Sequence, residues 1–371
     1  MGIEVREVSS PRQLRQFIKY PIRLYAGDRH FVPHLLFERK RFFGAKNPVF
    51  DFTDVRYFLA YDPGGRIVGR VSAHVNRRAN EFHGEQAGCF GFFECVEHPE
   101  AAGALLRTAE EWSRGRGMSV IRGPLNFSTN EECGFLVDGF DEPPVLMMPY
   151  TKPYYVRLMD ECGYRKARDL LAYDYHYPGR IPEHMSRFCE RVAGRYRVRV
   201  RALDVAHFAE DVRRAFSVYN RAWAKNWGFV PMSEAQFDHM AREMKGVLDP
   251  DLAIIAEIDG EPIGFSLSLP NYNVLFKRMK GRLFPFGLFI FLLGRRRLTH
   301  LRTLTMGVVP EHRKRGIEML LIYHTFKNGL PKGYRRAELS WVLEDNVLFR
   351  RTAERMGAVP YKTYRIYEKN L

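Results

Sequence analysis

Apolar positions along the chain switch between a period of two and a period near 3.6, and these switches mark out the elements. In the first half, Ile3–Val8 alternates as a short strand and Pro11–Tyr25 is helical. Arg56–Tyr61 and Arg66–Val75 read as a hairpin around Asp62-Pro63-Gly64-Gly65. Cys89–Val96 is a continuous apolar strand. Leu105, Leu106, Ala109 and Trp112 define one face of a helix from about Pro99 to Arg116, and Met118–Leu125 returns as a strand. A long loop leads to a helix over Tyr154–Cys162, closed by Gly163, and a strand over Lys166–Tyr177.

Two prolines and a glycine then punctuate Tyr177-Pro178-Gly179-Arg180-Ile181-Pro182. This predicts an N-terminal domain over 1–177, a linker over 178–190 and a second domain over 191–371. The second half repeats the grammar. Tyr196–Leu203 is a strand, Ala206–Asn226 a helix, and Ser233–Lys245 a helix capped by Ser233 with Gln236 completing a capping box. Asp251–Ile258 and Pro262–Leu269 form a hairpin. Strands follow over Leu301–Val309, Arg335–Leu343 and Val359–Glu368, separated by helices over Gly316–Gly329 and Asn346–Met356. One order of elements occurring twice predicts an α/β fold with mixed sheets, built as two tandem domains.

The sharpest local chemistry lies at Val308-Val309-Pro310-Glu311-His312-Arg313-Lys314-Arg315-Gly316-Ile317. A strand ends, a turn carries three consecutive bases, and a glycine opens a helix. Amides at a helix start point outward and the helix dipole favours an anion there. Arg313, Lys314 and Arg315 add positive charge, and Gly316 permits close approach, so a diphosphate would fit. An exposed basic turn ahead of an ordinary helix would carry the same residues. The matching turn of the first half, Pro99-Glu100-Ala101-Ala102, has an acid and no base, which disfavours phosphate.

Further candidates cluster on Glu338-Leu339-Ser340-Trp341-Val342-Leu343-Glu344-Asp345-Asn346. Glu344, beside Asn346 at the strand's end, is the first candidate for a general base. Glu338, a carboxylate inside a strand, is the second. Glu344-Asp345 reads equally as a helix cap. Asn126-Phe127-Ser128-Thr129-Asn130-Glu131-Glu132-Cys133-Gly134 is a polar loop following a strand end, where α/β sheets collect ligands, and it offers Asn126, Asn130 and Glu131. Trp223 and Trp227, four apart on one helix, suit either acceptor binding or core packing.

The basic turn resembles the acyl-CoA signature of the GNAT acyltransferase superfamily, Q/R-x-x-G-x-G/A. Arg313 and Gly316 match its first two positions, and Glu318 stands where Gly or Ala is usual. Asn346 through Gly357 resembles the family motif N-x-x-A-x-x-L-Y-x-x-x-G, with Ala353 in place of the frequent tyrosine acid. With Phe92-Phe93-Glu94 and the Gly281–Leu293 insertion, the tandem halves look like a bacterial GNAT-related family that includes the bacterial ceramide synthases. This resemblance implies N-acyl transfer from acyl-CoA to an amine, with a backbone amide near Val308 and Val309 polarising the thioester carbonyl. It also implies a small-molecule or lipid amine as acceptor, such as a sphingoid base, and a first domain without a donor site. Aminoacyl transfer to a peptidoglycan precursor is an alternative. A catalytically inactive membrane-surface protein is another, favoured by Glu318 and Ala353.

Charge narrows the partners. The 58 Lys and Arg residues exceed the 43 Asp and Glu residues, for a formal net charge of +15. Phosphate-bearing ligands fit this balance, whereas no zinc, helix-turn-helix or ribonucleoprotein motif accompanies it to suggest specific nucleic-acid binding. The apolar run Leu283–Leu293 lies between Lys277, Arg278, Lys280 and Arg282 on one side and Arg295, Arg296, Arg297 and Arg302 on the other. It falls short of the ~20 residues that span a bilayer, and suits an anionic membrane interface, the lining of a tunnel for an alkyl chain, or a buried core helix inserted between strands. Five cysteines without a CxxC pair suggest neither a metal site nor a disulfide framework. The expectation is a cytoplasmic protein, peripheral at the inner membrane if the apolar run is exposed.

Overall fold

The computed structural model describes residues 2–371. The first half runs β1 (Glu4–Glu7), α1 (Pro11–Leu24), α2 (Leu36–Phe42), β2 (Thr53–Tyr61), β3 (Ile67–Asn76), α3 (Arg77–His83), β4 (Ala87–Cys95), α4 (Pro99–Arg114), β5 (Val120–Gly123), β6 (Phe135–Asp138), α5 (Tyr155–Glu161) and β7 (Arg165–His176). The second runs α6 (Glu183–Tyr196), β8 (Val198–Ala202), α7 (Phe208–Trp223), α8 (Glu234–Met244), β9 (Ala253–Ile258), β10 (Glu261–Pro270), α9 (Asn273–Met279), α10 (Gly287–Gly294), β11 (His300–Val308), α11 (Ile317–Gly329), β12 (Arg336–Leu343), α12 (Val347–Arg355) and β13 (Val359–Asn370). The α/β fold class and its tandem repeat are as the pattern predicts. The capping box of α8 is formed, with Ser233 accepting from the Gln236 amide.

Three local readings need correction. Most of the expected linker is helix α6, whose Met185, Cys189 and Val192 recur at helical spacing and are buried. Helix α7 stops at Trp223, so Trp227 lies in a loop and does not share a helical face with it. Asn220 holds that loop, accepting from the Met232 amide and donating to its carbonyl. The domain limits also differ. Unit 1 comprises the chain to Leu171 together with Leu275–Phe291 and Tyr361–Leu371, and unit 2 comprises Ala172–Val274 and Leu292–Pro360. The last strand belongs to unit 1 because β13 pairs with β5 and β6 there and buries Tyr367 in that core.

Unit 1 orders its strands β1-β2-β3-β4-β5-β13. Neighbours are antiparallel except the parallel pair β4–β5. Helix α4 lays Ala101, Leu105, Leu106 and Ala109 into a core with Phe90, Phe93, Phe135 and Tyr155. Unit 2 orders its strands β12-β11-β10-β9-β8, antiparallel except the parallel pair β11–β12. Gly264 on β10 faces Leu321 of α11, and Gly307 on β11 faces the Trp223 indole of α7, so these helices cover opposite faces. Each unit carries a β-bulge in the strand of its parallel pair that comes first in the chain. Two residues of β4 oppose Val71, and Leu304 is an extra residue in β11.

Candidate active site

The bulge in β11 sits where the sheet of unit 2 opens. β11 and β12 pair over only four positions, His300–Thr303 against Arg336–Leu339, although both strands continue to Val308 and Leu343. Leu267 opposes Thr305 and Ser268 opposes Thr303, and the bulged Leu304 between them bends the strand. The Val309 amide donates to the Ile263 carbonyl at 2.9 Å. In an antiparallel ladder bonded and unbonded pairs alternate. Val308 opposite Gly264 and Met306 opposite Ser266 therefore turn their backbone groups away from β10 and into the gap. Arg313 Nε donates to the Val308 carbonyl at 3.0 Å, which leaves the Met306 and Val308 amides directed into the opening.

A cavity of about 510 Å³, including its open mouth, adjoins this gap on the α11 side. Met306, Ala337, Leu339, Phe326, Phe349 and Ala353 supply much of its almost wholly apolar wall. Ser266 also reaches the wall, and its hydroxyl is buried without a hydrogen-bond partner. A buried hydroxyl left unpaired is unfavourable and suits a polar atom of a ligand. Ala353, where the resembling motif has tyrosine, keeps part of this space open.

The basic turn is only partly available to an anion. Arg313 donates to Val308 and to the Ala222 carbonyl, so its guanidinium braces the end of β11 against the end of α7. Arg315 lies over the Tyr196 ring at 5.5 Å and contacts His312 Nδ1 at 3.2 Å. Lys314 is exposed. Gly316 has a φ of 82°, and a Cβ there would meet the Phe188 ring at 2.9 Å. The first turn of α11 has no side-chain cap. Its Met319 amide donates to the Gly316 carbonyl at 3.1 Å, which leaves the Ile317 and Glu318 amides to meet an anion, while the Ile317 side chain is buried and the Glu318 carboxylate stands in the same turn.

The candidate bases stand apart from the cavity wall. Glu338 and Ser340 alternate with the wall residues Ala337 and Leu339, and so face the opposite side of the sheet. Glu338 is fully buried, accepts from the Ser340 hydroxyl and lies opposite Arg302, whose Nε donates to Ser340 at 3.0 Å. Glu344 is half-buried just past β12, and its carbonyl accepts from Arg350 at 2.7 Å. Asn346 caps α12, accepting from the Phe349 amide at 3.2 Å. Trp223 packs over Gly307 beside the gap, on the face opposite the cavity, and stacks on Tyr219 at 5.0 Å.

Sequence reasoning did not single out Met306, Ser266 or the bulge. A signal exists for the bulge. Leu304, Met306 and Val308 keep a period of two that is out of phase with Leu301, as an inserted residue requires.

Unit 1 repeats the parting strands and closes them. β4 and β5 pair only over Ala87–Cys89 against Val120–Arg122. The chain beyond β5 then fills the opening: the Leu125 amide donates to the Phe90 carbonyl at 2.8 Å, and Asn126 Oδ1 accepts from the bulged Phe92 amide at 2.8 Å. The polar loop is thus an internal plug. Glu131 accepts from the Ser128 hydroxyl at 2.5 Å, and burial pushes its carboxyl up to about 7. The Asn130 amide donates to Ser128 Oγ at 3.1 Å. Among the described residues no helix is long and apolar enough to cross a membrane, and no group of His, Cys, Asp and Glu side chains is placed to hold a metal.

Comparisons with known proteins bear on the fold and the descent of the chain. No protein-family profile matches the chain. Protein YghO of Escherichia coli is 35% identical over 379 residues, covering 99% of this chain and 95% of that one. The bacterial ceramide synthase of Caulobacter vibrioides is 38% identical over 380 residues, covering 100% and 98%. Among solved structures, a GCN5-related N-acetyltransferase from Sphaerobacter thermophilus superposes with a TM-score of 0.55 at 15% identity, covering 99% of this chain and 95% of that one. A tandem GNAT protein from the clavulanic acid biosynthesis pathway gives 0.56 at 12% identity, covering 99% and 98%. At such identities these structures speak to the fold, and the two sequence relatives speak to descent. The chain is a tandem GNAT-fold protein and belongs to the bacterial family that contains the Caulobacter ceramide synthase.

Proposed function

We propose that this protein is an acyl-CoA-dependent N-acyltransferase that moves a long acyl chain to a lipid-like amine of the sphingoid-base type. The open gap between β11 and β12, beside an apolar cavity, carries this reading. The thioester arm of the donor enters through the cavity, and the Met306 and Val308 amides receive the carbonyl oxygen as negative charge develops on it. The uncapped start of α11, with Lys314 and Arg315, receives the diphosphate. The amine approaches from the Trp223 face, loses a proton to Glu344 and attacks the carbonyl carbon. The thiolate of CoA then leaves. The name of the Caulobacter relative supports the choice of acceptor.

The test is thiol release from acyl-CoAs of graded length in the presence of a sphingoid base. Long donors should turn over and acetyl-CoA should lag. In Glu344→Gln, kcat should fall about 10²-fold or more while donor affinity holds. Absence of donor binding at every chain length overturns the reading.

A further inference from the structure

The segment between β10 and β11 presents an apolar surface that the fold does not use. Phe284, Phe286 and Leu293 are 70%, 74% and 75% exposed, and Phe289 and Leu292 are exposed as well. Phe286 stands just before α10, its carbonyl accepting from the Ile290 amide at 3.1 Å, and with Phe289 and Leu293 of the helix it keeps helical spacing, so the three form one outward stripe. The segment is nonetheless seated. The Leu36 amide donates to the Gly281 carbonyl at 3.1 Å, Lys277 Nζ donates to the Arg29 carbonyl, and Gly287 is buried. Contiguous exposed apolar surface of this kind marks an interaction site.

Its surroundings identify the partner. Arg278, Lys280 and Arg282 precede the stripe and Arg295, Arg296 and Arg297 follow it, all exposed. No acidic residue occurs between Glu261 and Glu311. A helix of eight residues is about 12 Å long, far less than the ~30 Å of a bilayer's hydrocarbon core. Such a segment lies in the headgroup plane, with its rings among the acyl chains and its cations against phosphates. We infer that the Leu283–Arg297 segment docks the protein on the surface of a bilayer bearing anionic headgroups. This inference is independent of the acyl-transfer reading, because docking is measured without donor or acceptor.

The test is flotation of the full-length protein with vesicles of phosphatidylcholine, alone or mixed with phosphatidylglycerol. The wild type should float with the mixed vesicles and bind about tenfold more weakly to phosphatidylcholine alone or at high salt. Phe284→Ser/Phe286→Ser/Phe289→Ser should lose about tenfold or more on both. Arg295→Ser/Arg296→Ser/Arg297→Ser should lose only the preference for phosphatidylglycerol. In Phe289→Trp, indole emission should shift to the blue on mixed vesicles, and unchanged circular dichroism confirms that each variant folds. A wild type that stays unbound, a triple phenylalanine variant that floats like the wild type, or an apolar stripe that instead drives self-association in sedimentation overturns the inference.

Discussion

Gly316 shows how a residue legible in the sequence acquires its reason from packing. The turn needs a positive φ there, and α6 brings the Phe188 ring to the place where a side chain would begin. Gly316→Ala should cost about 1–3 kcal/mol in denaturant unfolding and weaken donor binding, because backbone and ring must both yield. Arg313 teaches the reverse lesson. Its place in the motif marks it as a phosphate ligand, yet its guanidinium is spent on two backbone carbonyls. Glu131 has a folded-state pKa raised to about 7 from 4.5, with burial as the main cause. The folded state thus holds this proton between pH 4.5 and 7 while the unfolded state releases it, so its contribution to stability falls as pH rises through that window. Glu131→Gln, which mimics the protonated acid, should gain about 1–2 kcal/mol on the wild type between pH 5 and pH 8. A constant difference in unfolding free energy would contradict this assignment.

At the scale of elements, two parallel strand pairs part after a few residues, and what enters each opening sets their separate fates. In unit 1 the opening is stitched by Leu125 and Asn126; in unit 2 it adjoins a cavity. Asn126→Ala should cost about 1–3 kcal/mol by leaving the Phe92 amide unsatisfied, with acyl-CoA affinity unchanged in calorimetry. Ala353→Phe fills the cavity of unit 2. Turnover of long acyl-CoAs should drop at least tenfold with little loss of fold stability, a split that thiol-release assays and thermal melts together reveal. Equal turnover with long donors would remove the cavity from the donor's path.

At the scale of the whole molecule, a chain with a formal net charge of +15 offers many sites for weak, diffuse adhesion of an anionic donor. Hydrogen exchange separates specific from diffuse binding. Acyl-CoA should slow exchange across Met306–Ile317 and leave Cys89–Asn126 unchanged, since the second opening already contains its own chain. At a hundred times its Kd, the donor should stabilise the folded protein by about 2.7 kcal/mol, read as a rise in Tm. Uniform protection of both halves would point to two donor sites.

The repeat, most of the strands and helices, and the position of the basic turn were legible because they depend on local periodicity, caps and turn residues. The capping box at Ser233 and the alternation of Glu338 with Leu339 are short-range regularities that tertiary contacts leave intact. Helix α6 was hidden by flanking prolines and glycine although Met185, Cys189 and Val192 carried its signal. The plug in unit 1, the cavity in unit 2 and the pairing of β13 in unit 1 arise between residues far apart in the chain. Nothing in Asn126 foretells the Phe92 amide that it satisfies, and nothing in Arg313 foretells the Ala222 carbonyl. Local order follows from neighbours along the backbone, whereas an opening is made by which distant groups find partners and which do not.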